Sequence, residues 1–271
     1  MIGFFDSGVG GLTVLKDVHK LLPDYSTMYL GDSARAPYGD KTHDQLTEFA
    51  WQGVKYLFDH GCPLVIVACN SASAQALRTI QQTKMQEYPK HRVLGVIRPT
   101  VEELGKLYNI VGILATQATV GSESYMREFK NVNQKIKVAQ HACPKWGPLV
   151  EEGLAHTEST NKIVDEDLKV LLQDEPNVEA ILLACTHYPV LYDYIRSILP
   201  KHIDLYEQGP LVATSLADYL GRHPEVEECL EKGGERKYFT TGDPEKAVRA
   251  AQQIAGLNPD FIQVELSKEN S

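Results

Sequence analysis

No apolar run in this 271-residue chain approaches the roughly 18 residues that a membrane-spanning helix requires, so a bilayer is not an expected partner. Basic clusters are lacking too. Twenty-seven lysines and arginines stand against 36 aspartates and glutamates, a net charge of -9, which makes nucleic acid a poor partner. Cysteine is scarce: Cys62, Cys69, Cys143, Cys185 and Cys229 are too few to staple a chain of this length, and one must stay unpaired. Free thiols in a reducing compartment are expected. The first residues, Met1-Ile2-Gly3-Phe4-Phe5-Asp6-Ser7-Gly8, carry no basic segment followed by an apolar one, so no export signal is read and the cytoplasm is the expected location. P-loop, H-E-x-x-H and C-x-x-C patterns are all missing, which removes phosphate-loop, zincin and zinc-ribbon readings. Low-complexity linkers and short repeats are also absent, and with them the solenoid folds.

What is present is globular: 43% of residues are apolar and 23% charged, over a length that suits one large or two moderate domains. Short β-rich runs recur along the whole chain, at Ile2 to Phe5, Thr27 to Leu30, Leu64 to Ala68, Val93 to Ile97, Val111 to Ala115, Ile136 to Gln140, Ala180 to Ala184, Ile203 to Tyr206 and Lys237 to Thr240. Between them, Leu12 to Leu22, Asp44 to Phe58, Ala74 to Met85 and Val212 to Tyr219 space apolar residues three and four apart, the period of an amphipathic helix. Strands alternating with helices predict an α/β fold with parallel sheets.

One similarity spans the chain. Val65-Ile66-Val67-Ala68-Cys69-Asn70-Ser71 resembles Ile181-Leu182-Leu183-Ala184-Cys185-Thr186-His187: an aliphatic strand, Ala-Cys, then a polar pair. Two related α/β halves explain it. Each cysteine then falls at the carboxyl edge of its sheet, where open α/β sheets form their ligand crevice, and a shared cleft would set one thiol facing the other.

Cys69 precedes Asn70, Ser71 and Ser73, residues able to cap a helix starting near Ala72, and a thiol at a helix start is drawn toward thiolate. A buried structural cysteine ending a strand is the plainer alternative. Cys185 is followed by Thr186 and His187, with Pro189 suited to a first helical turn, and His187 taken alone fits a structural histidine equally well. After the first strand, Asp6 and Ser7 precede Gly8, Gly10 and Gly11; a dinucleotide fingerprint fails there because Thr13 holds the third glycine position. A carboxylate and a hydroxyl at that edge suit an ammonium group, or else a helix cap. The Gly31-to-Gly39 segment reads as a turn-rich loop in which amides near Tyr38 and Gly39 face a carboxylate or only solvent, and Thr116 and Thr119 are further donors or caps. A soft-metal site from Cys69, Cys185 and His187 is the weaker alternative, and no metal is expected.

Taken together, Phe5-Asp6-Ser7-Gly8-Val9-Gly10-Gly11-Leu12-Thr13-Val14, Pro37-Tyr38-Gly39, Ala68-Cys69-Asn70-Ser71-Ala72-Ser73-Ala74, Leu114-Ala115-Thr116 with Ala118-Thr119, Pro148-Leu149-Val150-Glu151 and Cys185-Thr186-His187-Tyr188-Pro189 resemble the cofactor-independent aspartate/glutamate racemases, and most closely their glutamate-specific branch. The motifs run in order from residue 4 to about residue 243. Two departures are Ser71, where threonine is common, and Ala184, where glycine is common; neither removes a reacting group.

The resemblance implies two pseudo-symmetric α/β domains with the site between them, 1–95 plus 208–271 and 96–207. It implies L- and D-glutamate interconversion without a cofactor, for peptidoglycan precursors, by an enzyme expected to be a homodimer with a small-molecule substrate. Cys69 and Cys185 would be the acid and base, assisted by Asp6 and His187, with Glu151 behind His187; Asp6, Ser7, Tyr38, Gly39, Asn70, Ser71, Thr116, Thr119, Thr186 and His187 would hold the substrate. The chemistry agrees: inversion takes a proton from one face of Cα and returns one to the other, so two bases are needed. The rivals are an aspartate racemase and a two-lobed amino-acid-binding module, the latter having no use for paired cleft cysteines.

Overall fold

Every apolar run named above forms a strand in the computed structural model, which describes residues 1–266, with ends moved by no more than two residues. The strands are β1 (Ile2–Asp6), β2 (Thr27–Gly31), β3 (Leu64–Val67), β4 (Arg92–Gly95), β5 (Ile110–Ala115), β6 (Lys137–Ala142), β7 (Ala180–Ala184), β8 (Asp204–Tyr206), β9 (Arg236–Thr240) and β10 (Phe261–Gln263). Among the described residues only β10 escaped the sequence reading. Ile262 and Gln263 are exposed, so just Phe261 carries a core signal, its ring set edge-on against Tyr29 and Tyr238.

Among the described residues the ten strands pair in parallel and fall in two sheets, ordered β10-β9-β2-β1-β3-β4 and β6-β5-β7-β8. The block β2-β1-β3-β4 repeats as β6-β5-β7-β8, which is the duplication read from the two Ala-Cys segments. Buried on both faces, such strands read as unbroken aliphatic runs, and β1, β3 and β7 are buried throughout.

Two helices pack between the first sheet and the second. Helix Leu12–Leu21 turns Leu12, Leu15 and Val18 toward Val212, Leu216 and Leu220 of helix Gln208–Arg222, within an apolar cluster that runs from Ile2 and Phe4 to Ile181 and Leu183. The opposite face of the first sheet is closed by helix His43–Asp59, whose Leu46, Val54 and Leu57 meet Leu30, Val65 and Val67. A third cluster, Val101, Leu104, Tyr125 and Phe129 over Val111, Ile113 and Leu182, covers the second sheet. Among the described residues no helix is long and apolar enough to cross a membrane.

The helix expected from Ala74 to Met85 is instead two helices, Asn70–Gln75 and Leu77–Thr83, followed by a 3-10 turn at Met85–Glu87. Its start lies earlier because Cys69 is the extended N-cap residue, with the Ser73 amide donating to the Cys69 carbonyl at 2.8 Å. Ser73 caps nothing. Its hydroxyl donates to the Val67 carbonyl at 2.7 Å, tying the helix back to β3.

Gly53, inside helix His43–Asp59, lies against the Phe5 ring so closely that an added Cβ would sit 2.1 Å from Phe5 Cε2. Gly53→Ala is therefore expected to lower stability by about 1–3 kcal/mol in urea unfolding, although alanine is the better helix former. The double variant with Phe5→Leu should recover most of the loss. An equal loss in both backgrounds would mean that the ring contact is not its cause.

Candidate active site

In both sheets the chain leaves a central strand to one side and returns on the other, β1 to β2 and then β3, β5 to β6 and then β7. That reversal leaves a crevice beyond the strand ends, between helices that depart in opposite directions. Asp6 closes β1 and Cys69 follows β3; Thr116 follows β5 and Cys185 follows β7. The structure thus brings both cysteines to the crevices of the two halves. Each is almost fully buried, and each sulfur lies within electrostatic reach of the other.

The two halves meet through backbone. At Gly10 an added Cβ would fall 2.5 Å from Thr186 Oγ1 and 2.8 Å from the His187 ring, so only glycine lets this turn approach the Cys185-Thr186-His187 loop. Thr13 fastens the contact: its hydroxyl lies 2.8 Å from the Gly10 carbonyl and 3.0 Å from that of Thr186. Asp6 lies behind the turn, wholly buried, accepting from the Gly8 amide at 3.0 Å and from the Thr186 hydroxyl at 3.3 Å. It is not a helix cap. Burial pushes its carboxyl above the usual range, against the opposing pull of the His187 charge and the Gly8 and Gly11 amides.

The expectation that a helix start draws Cys69 toward thiolate is corrected by its surroundings. Burial first, and then the Asp6 charge, push the thiol up to about 12, outweighing the Ala72 amide and Ser7. Cys69 Sγ lies 3.6 Å from Ser7 Oγ. At neutral pH this sulfur carries its proton.

Around Cys185 the arrangement is different. His187 Nδ1 is 3.8 Å from the Cys185 sulfur, and Nε2 is 3.0 Å from Glu151 Oε1, a contact lying off the N–H axis and better described as an ion pair than as a directed hydrogen bond. Burial alone would strip the imidazole of its proton. Its contacts with Cys185 and Glu151 win, holding His187 protonated well above its ordinary range. One thiol is therefore beside a carboxylate and the other beside a cation.

The remaining residues singled out in the sequence divide. Ser71, Thr116 and Thr119 form one hydroxyl chain across the two halves, with Ser71 Oγ 2.9 Å from Thr116 Oγ1 and Thr116 Oγ1 3.1 Å from Thr119 Oγ1. Thr116 is also a helix N-cap, accepting from the Thr119 amide, so its capping and bridging readings both hold. Gly39 stacks on Thr116 and accepts from the Ala118 amide at 3.1 Å. Tyr38 is buried, its hydroxyl donating to Asp32, which also pairs with Arg35 at 2.7 Å and accepts from Thr241 at 2.8 Å. The Asn70 side chain is already committed: it donates to Gln208 and accepts from the Tyr125 hydroxyl at 2.8 Å, and Gln208 donates to the same hydroxyl at 2.8 Å.

Asp32, Thr13, Tyr125 and Gln208 were not read from the sequence. The Asp32 and Arg35 spacing inside the turn-rich loop was a usable signal, because a buried loop carboxylate needs a nearby cation. Tyr125 and Gln208 gave none. Their hydrogen bonds to Asn70 join positions 55 and 138 residues away.

Comparison with known proteins fits this geometry. Residues 12–209 match the sequence pattern of the Asp/Glu/hydantoin racemase family. A glutamate racemase of Roseobacter denitrificans is 39% identical over 96% of this chain and 98% of its own. Among solved structures, a glutamate racemase of Bacillus anthracis shares 30% identity with a TM-score of 0.89, covering 98% of this chain and 97% of its own. One from Francisella tularensis, solved with D-glutamate, shares 30% identity with a TM-score of 0.87 over 98% of this chain and 97% of its own.

His187 should keep its proton above the ordinary histidine value of 6.5 in an imidazole-detected NMR titration, and Glu151→Gln should move the transition to lower pH. A His187 signal titrating at or below 6.5 in the unaltered protein would contradict the ion pair.

Proposed function

Because the chain belongs to the Asp/Glu/hydantoin racemase family, and is by that membership an amino-acid racemase, we propose that it interconverts L- and D-glutamate by direct proton transfer between two cysteines, without a cofactor. The observation that carries the mechanism is the pairing of Cys69 and Cys185 at equivalent crevices of a duplicated fold, with oppositely charged helpers. The glutamate preference rests on the relatives, each named a glutamate racemase, and on the intact Asp6-Ser7-Gly8 turn.

In this reading the substrate's Cα lies between the sulfurs. Burial, with the Asp6 charge added to it, keeps Cys69 as the proton-bearing thiol, while protonated His187 would give negative charge on Cys185 a counter-ion. For L-glutamate, Cys185 takes the α-proton, Cys69 delivers its own to the opposite face, and D-glutamate leaves with the thiols in exchanged states. The reverse reaction begins at Cys69. Glu151 holds His187, and Asp6 orients the Cys69 side and offers a place for its proton. Charge developing on the α-carboxylate side is met by amide and hydroxyl donors of Ser7, Tyr38, Gly39, Asn70, Ser71, Thr116, Thr119, Thr186 and His187. Asn70 serves through its backbone, since its side chain is bound to Gln208 and Tyr125.

The proposal extends to the setting: a cytoplasmic homodimer supplying D-glutamate to peptidoglycan precursors. Its domain limits are 1–95 plus 208–271 and 96–207, of which residues 267–271 lie outside the described part of the chain.

Purified protein, freed of pyridoxal phosphate and metals, should racemise either enantiomer of glutamate far faster than aspartate when the products are resolved by chiral chromatography. Equal or faster turnover of aspartate would move the assignment to the aspartate branch, and binding without turnover would favour the amino-acid-binding module. Cys185→Ser should slow exchange of the α-proton of L-glutamate with deuterated water about 100- to 10,000-fold, and Cys69→Ser that of D-glutamate, each also losing racemisation. A Cys185→Ser variant that racemises normally would overturn the two-thiol mechanism.

A further inference from the structure

His141, Cys143 and Asp167 lie outside the crevice and take no part in the proposed reaction, yet their ligand-bearing atoms all fall within 4.8 Å of one another. Rigid elements place them. His141 is on edge strand β6 and Cys143 follows two residues later, so strand alternation sends both side chains to one face. Asp167 comes from helix Glu158–Asp174, packed on that face. Its carboxylate is held from both sides: Oδ1 is 2.8 Å from His141 Nε2, and Oδ2 accepts from Trp146 Nε1 at 2.7 Å.

We propose that His141 Nε2, Cys143 Sγ and Asp167 Oδ1 form a binding site for one divalent cation of the zinc class, with water in the fourth position. The donor set of one imidazole, one thiolate and one carboxylate oxygen suits a borderline-soft ion and excludes magnesium and calcium, which take oxygen ligands. Cys143 is fully buried while His141 and Asp167 are about one-fifth exposed, which gives the ion an entry path and the water a place. On binding, the His141–Asp167 hydrogen bond is exchanged for two bonds to the cation: the His141 imidazole changes tautomer, its proton moving by way of solvent from Nε2 to Nδ1, and the Cys143 proton is released to solvent. Trp146 keeps its bond to Oδ2 and so orients the carboxylate from behind, as outer groups commonly do for metal ligands.

The site has a structural consequence. Trp146 packs on Tyr188, ring centroids 4.9 Å apart, and the Tyr188 hydroxyl donates to the Cys143 carbonyl at 2.8 Å. A cation here braces the stretch from Cys143 to helix Trp146–Glu151 and, through Tyr188, the loop carrying Cys185 and His187.

Cobalt(II) is the probe, because a bound thiolate gives it a near-ultraviolet charge-transfer absorption. Chelator-treated protein, kept reduced with a phosphine, should take up one cobalt per chain with that absorption. Cys143→Ala should abolish it, His141→Gln and Asp167→Asn should weaken cobalt binding at least about tenfold, and Cys69→Ala and Cys185→Ala should leave it intact. Zinc should raise the Tm of the unaltered protein but not of His141→Gln, whose partly exposed side chain makes it the variant least prone to misfold. Absorption that survives Cys143→Ala, disappears with Cys185→Ala, or never forms would overturn the site, as would an equal zinc-induced Tm rise in His141→Gln.

Discussion

The approach of the Gly10 turn to the Thr186-His187 loop is the contact on which the rest of the structure depends. It is made by backbone on one side, so the halves cannot sit closer or farther without changing the distance between Asp6 and Thr186, or between His187 and everything behind it. The duplicated sheets supply the crevices, but this contact aligns one with the other. The apolar cluster from Phe4 through Leu15 and Leu216 to Leu183 holds the alignment from beneath. Close-packed interiors resist small shifts, which is how a turn of four residues can set the spacing of groups on two separate sheets.

That spacing has an electrostatic consequence. Asp6, Cys69, Cys185 and His187 are all removed from water, where an unpaired charge is expensive and an opposite charge is strongly felt. The polar groups are therefore arranged in connected sets: Asp6 with the Gly8 amide and Thr186, His187 with Glu151, Asn70 with Gln208 and Tyr125. Asp6 and His187 stabilise each other's charged forms across the interface, so the protonation of one half depends on the other.

How much of this was legible in the sequence follows from the range of each interaction. Strand positions were readable because doubly buried parallel strands show as aliphatic runs of fixed length, and the repeated Ala-Cys ending carried the duplication. Cys69, Cys185, Asp6 and His187 stand within three residues of strand ends, and local context located them there. The state of those groups was not readable. Cys69 looked like a thiol favoured as thiolate by a helix start, and it is full burial, and after it the long-range placement of Asp6, that reverse this. The Asn70–Gln208–Tyr125 set was hidden for the same reason, since a bond between residues 138 apart leaves no local pattern. The start of the Ala74-to-Met85 helix was misplaced because the chain enters it directly from the strand end at Cys69 and the hydroxyl of Ser73 turns back to Val67 instead of capping.

The duplication also explains why the two thiols are unlike. Aligned by their strands, Cys69-Asn70-Ser71 corresponds to Cys185-Thr186-His187, and Asp6-Ser7 at the end of β1 corresponds to Ala115-Thr116 at the end of β5. The repeat therefore preserves both cysteines, and a hydroxyl at Ser7 and Thr116, while exchanging the helpers: a carboxylate in the first half where the second has alanine, an imidazole in the second where the first has serine. Two identical halves would hold their thiols in the same state, both protonated or both charged, and neither state supports inversion. With a negative group beside one sulfur and a positive group beside the other, the symmetry of the fold repeats the thiol at the end of each sheet and the asymmetry of two side chains gives the two thiols helpers of opposite sign. In the proposed reaction a proton transferred in either direction only exchanges the states of the two thiols, and the groups that would assist it are ones that the interface already holds in place.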